Sequence, residues 1–337
     1  MPLTHWFYRF FEFGKIQILI LQIAILVSSF LLIGQSDVWL HILQLLTLIS
    51  IIGHLATLYK YTSFHKAIQK KPSDISSQTI TVLSANVFQE NKEYEKFIGL
   101  LNKYNPDIFL TMESDANWEK ALTTLDHKYK YNIKVALDNT YGMHLYSKLK
   151  ITNHSVHYFV ADDLPSIEAK IRTVDNFEFT FFAVHPPPPS PTEEKNSKER
   201  DGELLSIAKK IKQNSDTCVI VGDFNNVAWA KSSILFRKTS GTIDGRIGRG
   251  FISSFHTKYW FLRFPIDLMF HTADVFIDEL KTLEHFGSDH FPIYAKFFIN
   301  KKTSDQEHLT EDLEEGEQAI VQEIIADGIN EKSDNRN

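Results

Sequence analysis

Residues 217–225 read TCVIVGDFN. A short, continuous apolar run that stops at a glycine and an acid has the look of a strand buried on both faces. Asp223 and Asn225 then stand where the strand gives way to a loop, the usual place for groups that do chemistry on a rigid scaffold. The pattern repeats along the chain. Asn86 ends ITVLSAN, Glu113 follows DIFLTM, His185 follows FEFTFFAV, Asp267 follows FPI, and Asp289 and His290 precede FPIYAKFF. Any one of the Asp or Asn residues could be an ordinary turn former. Six strand ends carrying such groups point instead to a site assembled at one end of a sheet. Between these strands, EKFIGLLNKY, the segment beginning SDANWEKAL, and KNSKERDGELLSIAKKIKQN have helical spacing. The mixture predicts one α/β domain over residues 79–299.

The residue types form a coherent chemical set. Glu113, Asp289 and the amide oxygen of Asn86 offer hard oxygen ligands, which suit Mg²⁺, with Mn²⁺ as a substitute. No cysteine and histidine spacing suggests zinc. His185, Asp223, Asp267 and His290 supply acid–base and charge-stabilising groups, the equipment of phosphoryl chemistry. The single cysteine, Cys218, excludes an intrachain disulfide and reads as a core thiol. The net charge of −6 is unevenly distributed: residues 303–337 carry −9, leaving the rest at +3. That balance argues against a dedicated nucleic-acid binder.

Two uncharged apolar stretches precede the domain, IQILILQIAILVSSFLLI (16–33) and VWLHILQLLTLISIIGHLATLY (38–59). Each is close to the roughly 20 residues that cross a bilayer core. Only a short GQSD turn separates them, so a retained helical hairpin fits better than a cleaved signal. The expected layout is a flank (1–15), a transmembrane hairpin (16–59, helices about 16–34 and 38–59), a basic linker (60–78), the catalytic domain, and an acidic, disordered tail (300–337) in which EQAIVQEIIADGI could fold on an unknown protein partner. Gln44, Thr47, Ser50, His54 and Thr57 share one face of the second helix, where Gln22, Ser28 and Ser29 of the first can answer them. Arg9 and Lys15 before the hairpin, and Lys60, Lys66, Lys70 and Lys71 after it, predict that both ends and the domain are cytoplasmic, at an inner or plasma membrane.

The domain resembles the endonuclease/exonuclease/phosphatase superfamily, with its deoxyribonuclease I-like, four-layer α/β/β/α sandwich. The resemblance is carried, in order, by SANV (Asn86), FLTMES (Glu113), YGMHLYSK (141–148), FFAVHPPPP (His185), VGDFNN (Asp223, Asn225), PIDLMF (Asp267) and GSDHFP (Ser288, Asp289, His290). It implies that Asn86, Glu113 and Asp289 form the metal site. It also implies that Asp223 orients or deprotonates water, that Asn225 and His185 donate to the phosphoryl group, and that His290 is paired with Asp267. The hairpin and the HPPPP run resemble the membrane-tethered branch more than the soluble repair nucleases.

Proline fixes φ, so PPPPSP after His185 reads as a stiff arm that walls the pocket. Tyr141 and Arg200 are further candidates for substrate contact, Arg200 toward a phosphate or, alternatively, toward Asp201 or Glu203. GTIDGRIGRGF (241–251) reads as a flexible loop, a candidate to face the substrate. The leading reading is a membrane-anchored, Mg²⁺-dependent phosphoesterase acting on a small or lipid-linked phosphoester or pyrophosphate. The alternatives are a membrane-tethered nuclease and a non-catalytic scaffold.

Overall fold

A computed structural model describes residues 4–34, 37–65, 79–214, 216–300 and 306–331. Half of the hairpin turn and most of the linker, with Lys66, Lys70 and Lys71, lie outside the described residues. In chain order the helices are α1 (Trp6–Phe13), α2 (Lys15–Leu32), α3 (Val38–Tyr59), α4 (Tyr94–Tyr104), α5 (Ala116–Leu122), α6 (Lys198–Asn214), α7 (Lys231–Ser240) and α8 (Glu317–Asn330). The strands are β1 (Ile80–Asn86), β2 (Ile108–Met112), β3 (Tyr131–Val135), β4 (Met143–Ser147), β5 (Lys150–His157), β6 (Ser166–Arg172), β7 (Glu178–Val184), β8 (Cys218–Asp223), β9 (Ile243–Asp244), β10 (Asp267–His271), β11 (Val275–Thr282) and β12 (Ile293–Ile299).

They form two mixed six-stranded sheets, ordered β11-β12-β1-β2-β4-β3 and β5-β6-β7-β8-β10-β9. Each has one parallel pair at its centre, β1 with β2 and β7 with β8. Side-chain alternation builds the layers. Val82, Leu110, Phe181, Ala183, Val219 and Val221 point between the sheets into one core. Leu83, Ala85 and Phe109 point the other way, onto Phe97, Leu101 and Trp118 of α4 and α5. Phe182, Val184 and Ile220 meet Leu204, Leu205 and Ala208 of α6, with Leu235 and Phe236 of α7. The expected four-layer, deoxyribonuclease I-like sandwich is what the chain forms. Cys218 is buried in it.

The tail differs from expectation. Over Glu317–Asn330 it is helical, and Val321 and Ile324 are buried against α6. The two helices come so close that a Cβ on Gly202 would lie 2.8 Å from the Gly328 Cα, so only glycines fit this crossing. The acidic residues before α8 meet the cationic end of α7: Arg237 forks onto Glu311 at 2.8 and 2.9 Å, and Lys238 reaches Glu314 and Glu317. Composition alone suggested disorder, but the partner that folds this segment is the domain itself.

α2 and α3 are long and apolar enough to cross a membrane, with mean hydropathies of 2.1 and 1.8, and little of either is buried within the protein. They pack as an antiparallel pair joined by their polar face. Gln22 donates to Ser50 at 2.9 Å and its amide oxygen accepts from His54 Nδ1 at 2.9 Å, and Gln44 donates to Ser29 at 3.1 Å. His54 therefore has a packing role. The hairpin is not a loose appendage. α1 lies against the domain, and the Trp229 indole donates to the Glu12 carbonyl at 2.7 Å. Just beyond α3, Tyr61 is buried edge-on against the same Trp229, with ring centroids 5.6 Å apart. The 241–251 segment packs here too, with buried Arg246 paired to Asp244 and Gly248 donating to the Lys60 carbonyl. That segment supports the hairpin exit and does not line the catalytic pocket.

Candidate active site

The antiparallel and parallel pairings bring six strand ends to one rim of the sandwich. Asp223 at the end of β8 lies opposite Asp267 at the start of β10. Asn86 closes β1, Glu113 follows β2, His185 follows β7, and the Asp289–His290 turn leads into β12. Gly222 makes this close packing feasible, because a Cβ there would meet the Val184 carbonyl oxygen at 1.9 Å. Glu113 (φ 59°) and Asn225 (φ 47°) sit in the left-handed region. Strain of this kind in non-glycine residues persists only where the surroundings hold it, commonly at functional sites.

Asp223 is the hub. Its Oδ2 accepts from Asn86 Nδ2 at 3.2 Å and faces His290 Nε2 at 3.6 Å and His185 Nε2 at 3.9 Å, while Oδ1 accepts from the Asn225 amide at 2.8 Å. His290 Nδ1 bonds Asp267 Oδ2 at 2.8 Å. Burial alone would lower the His290 pKa, but Asp267 and Asp223 outweigh it and raise the imidazole above its ordinary value. His290 is thereby held protonated. Burial pushes the Asp223 carboxyl upward; the His290 charge opposes that and the Asp267 charge adds to it. His185 goes the other way, down to about 3, through burial and then the His290 charge. It is a neutral imidazole, and its buried Nδ1 has no partner among the described residues.

Asn86 Nδ2 also donates to Glu113 Oε1 at 2.8 Å, and Gln89 N donates to Oε2 at 3.2 Å. The Asn86 oxygen is taken by the Phe88 amide at 3.0 Å, which fixes the orientation of the side chain. Asn86 thus turns its amino group to the Glu113 and Asp223 carboxylates. Burial raises Glu113 to about 7, and the neighbouring Asp289 charge contributes.

A cavity of about 330 Å³ opens over this floor. Asn86, Glu113, Tyr141, His185, Asp223, Asn225, Asp289 and His290 all line it. Asp267 stands behind His290. Arg200 does not line the cavity. It is buried, its guanidinium gripping Asp201 Oδ1 at 2.8 and 3.0 Å and the Asn225 carbonyl at 3.0 Å. Of the two readings of Arg200, the structure shows the Asp201 pair. The proline arm does wall the cavity, through Pro188, Pro189 and Ser190, and Glu193 beyond it accepts from the Tyr141 hydroxyl at 3.1 Å.

Ser288 was visible in GSDH but had been given no role. Its hydroxyl donates to the Asn86 carbonyl at 2.8 Å and accepts from His290 N at 3.0 Å, joining β1 to the catalytic turn. The pairing of Arg9 with Asp201 has no counterpart in the sequence reading. Arg9 Nη2 meets Asp201 Oδ2 at 3.0 Å, across 192 residues, so adjacency in the sequence gives no signal of it.

The family model for the endonuclease/exonuclease/phosphatase family matches residues 83–290, more than half the chain. The chain belongs to the endonuclease/exonuclease/phosphatase family. Solved structures share the fold. Zebrafish (D. rerio) TDP2 in complex with a single-strand DNA product has a TM-score of 0.56 at 18% identity, over 65% of this chain and 99% of that one. The mannosyl-6-phosphatase of Bacteroides thetaiotaomicron has a TM-score of 0.54 at 18% identity, over 65% and 99%. The human Nocturnin catalytic domain with bound sulfate has 0.54 at 15% identity, over 67% and 97%. No curated protein matches the sequence. As a member of this family the chain is a metal-dependent hydrolase of phosphoester bonds. Asp223, Asp267 and His290 bring ligand atoms within 4.8 Å of one another, a buried cluster of the kind that holds a divalent cation. Glu113 and Asp289 form a second set. Both carboxylates line the cavity and are hard oxygen donors that could hold such an ion.

Proposed function

We propose that the chain is a membrane-anchored, Mg²⁺-dependent phosphoesterase acting on a small or lipid-linked phosphoester or pyrophosphate at the bilayer surface. The observation that carries this reading is the Asp223 hub, an acid flanked by one charged and one neutral imidazole above a carboxylate set suited to a cation. Glu113 and Asp289 would hold the metal, with Asn86 orienting Glu113. Bound there, Mg²⁺ supplies positive charge to offset the negative charge that builds on the phosphoryl oxygens.

The chain's own groups divide the remaining work. Asp223 orients the attacking water and takes its proton. Protonated His290, fixed by Asp267, and neutral His185 donate to the non-bridging oxygens. Asn225 spends one amide hydrogen on the Pro186 carbonyl at 3.0 Å and keeps the other for the phosphoryl group. Water oxygen bonds to phosphorus, the ester P–O bond breaks, and the leaving oxygen departs as an alcohol or phosphate. Tyr141 and the proline arm limit what fits above the phosphorus.

The anchor is α2 with α3, and Lys15 and Lys60 at its ends put both ends and the domain on the cytoplasmic side. Arg9 no longer counts toward that argument, because it is buried against Asp201. A membrane-tethered nuclease is the second reading, supported by the DNA-bound zebrafish relative. The charge of about +3 outside the tail counts against it, since nuclease affinity leans on lysine and arginine contacts to phosphate. Hydrolysis by the purified full chain with Mg²⁺ should be profiled on DNA, RNA, phospholipids, prenyl pyrophosphates and inositol phosphates. Turnover concentrated on the lipid or small phosphoesters is expected. Turnover confined to nucleic acid would overturn the substrate assignment.

A further inference from the structure

α1 is amphipathic in the inverted sense. Its polar residues face the protein: Arg9 is buried on Asp201 and Ser197, and Glu12 turns inward to Arg9 at 3.1 Å. Its aromatic residues face out, with Phe7, Tyr8, Phe10 and Phe11 each about half exposed. A helix that hides its charges and shows its rings is not finished by water. A second apolar prong lies nearby. The loop KYWFL, residues 258–262, exposes Tyr259, Phe261 and Leu262 and leaves Trp260 80% exposed. Together these exceed the scattered exposed apolar residues normal on a soluble surface.

Three contacts place both prongs around the catalytic pocket. Phe13, the last residue of α1, lines the cavity, as does Phe255 at the root of the loop. Phe13 packs edge-on against Phe264, with centroids 6.0 Å apart. Gln17, in the first turn of α2, donates to the Phe261 carbonyl at 3.1 Å. The pocket, the two prongs and the start of an 18-residue apolar helix therefore occupy one corner of the molecule. What covers them is argued by continuity. α1 runs through Gly14 directly into α2, so a medium that surrounds α2 also reaches the outer face of α1. Tryptophan and tyrosine beside an exposed lysine, here Lys258, are the composition of surfaces that sit at the headgroup boundary.

We propose that the outer face of α1 and the Tyr259–Leu262 tip lie in the interfacial layer of the bilayer, so that the pocket takes the phosphoester of an amphiphile resident in that leaflet. This rests on the membrane-anchored reading above and specifies how the site meets its substrate. The occupant is lipid, not a second protein.

The test uses the full chain reconstituted into phosphatidylcholine vesicles containing phosphatidylglycerol. Trp260→Cys is labelled with a polarity-sensitive fluorophore; buried Cys218 does not compete for the label. The expected result is a blue-shifted emission, quenched more by lipids brominated near the headgroup end of the acyl chain than by those brominated near its methyl end. Water-like, unquenched emission from protein that stays with the vesicles overturns the docking and leaves the anchor standing. Protein that does not stay with the vesicles overturns the anchor, and the docking with it. A second arm compares hexadecyl and methyl p-nitrophenyl phosphate in the same vesicles. Trp260→Ser with Phe261→Ser should cut hydrolysis of the hexadecyl ester by about tenfold and leave the methyl ester unchanged, the loss of two buried aromatics at the interface. Equal effects on both esters, or none, overturn the amphiphile assignment.

Discussion

Asp267 never touches the cavity, yet the charge on His290 depends on it. Replacing it with Asn leaves the shape and removes the partner that fixes the imidazole, so Asp267→Asn should fold normally and lose about a hundredfold or more in kcat, the range for a disrupted acid–base group. His290→Ala and Asp223→Asn should abolish turnover with near-native circular dichroism. Any of the three at wild-type rate under saturating metal would remove that residue from the mechanism. Glu113→Gln is expected to shift the Mg²⁺ titration to higher concentration, because the amide keeps a dipole where the carboxylate had a charge; an unmoved titration would transfer the metal to the other cluster. These groups were legible because each stands at the edge of an apolar run, where one alone could be a turn former but six together point to a shared site. Asn86 was legible as a site residue and not as to its role. Which end of an amide faces inward is decided by the Phe88 N–H, a backbone contact that residue identity does not show.

At the level of elements, contacts of α1 reach across the boundary expected at residue 79 into the folded domain. Arg9, Asp201 and Arg200 form a buried relay from α1 to the Asn225 carbonyl, and Asn225 in turn holds Asp223. Burial would raise the Asp201 pKa, but Arg200 and Arg9 hold the carboxyl below its usual range. Arg9→Ala leaves that acid with half its compensation, and removing one member of a buried pair costs about 3–5 kcal/mol. Chemical denaturation of the full chain in detergent should show a loss of that order, and a fragment starting at 79 should be less stable still. A fragment as stable as the full chain would show that α1 is not part of the core. The Arg9 link of this relay was invisible in sequence because Arg9 and Asp201 lie 192 residues apart. The docking of α8 on α6 was hidden for another reason. Its acids dominate composition, whereas Val321, Ile324 and Gly328, spaced for one helix face, are too few to stand out before the groove that receives them is known.

For the whole molecule, the inner strands of both sheets and the helices α4, α5 and α6 could be read, since burial on two faces leaves a near-continuous apolar strand and amphipathic helices keep their own spacing. How charge is stored inside could not. Glu203 is wholly enclosed, with Oε1 accepting from Ser166 at 2.7 Å, and burial raises it from 4.5 to about 8. Between those values the unfolded chain has released a proton that the folded chain retains. This group therefore lowers stability as pH rises from about 4.5 to 8, and no further above that. Glu203→Gln should be close to neutral near pH 5 and should stabilise increasingly toward pH 8, by on the order of a few kcal/mol. Melting temperatures at pH 5, 6.5 and 8 for both proteins check this; a constant difference would show that the acid is ionised throughout.

One side chain, Trp229, holds the entry to the apolar hairpin through Glu12 and the exit through Tyr61. A globule tied by a single strand would swing and sample the space around its mooring. One clamped at both ends of the same hairpin cannot. With the hairpin as the membrane anchor proposed above, the working face would keep one height and one attitude and its search would be two-dimensional, so that encounters would be set by how fast substrate drifts sideways past a stationary mouth. For such a machine the governing variable is the fraction of the surface that is substrate, not the amount dissolved in the surrounding volume.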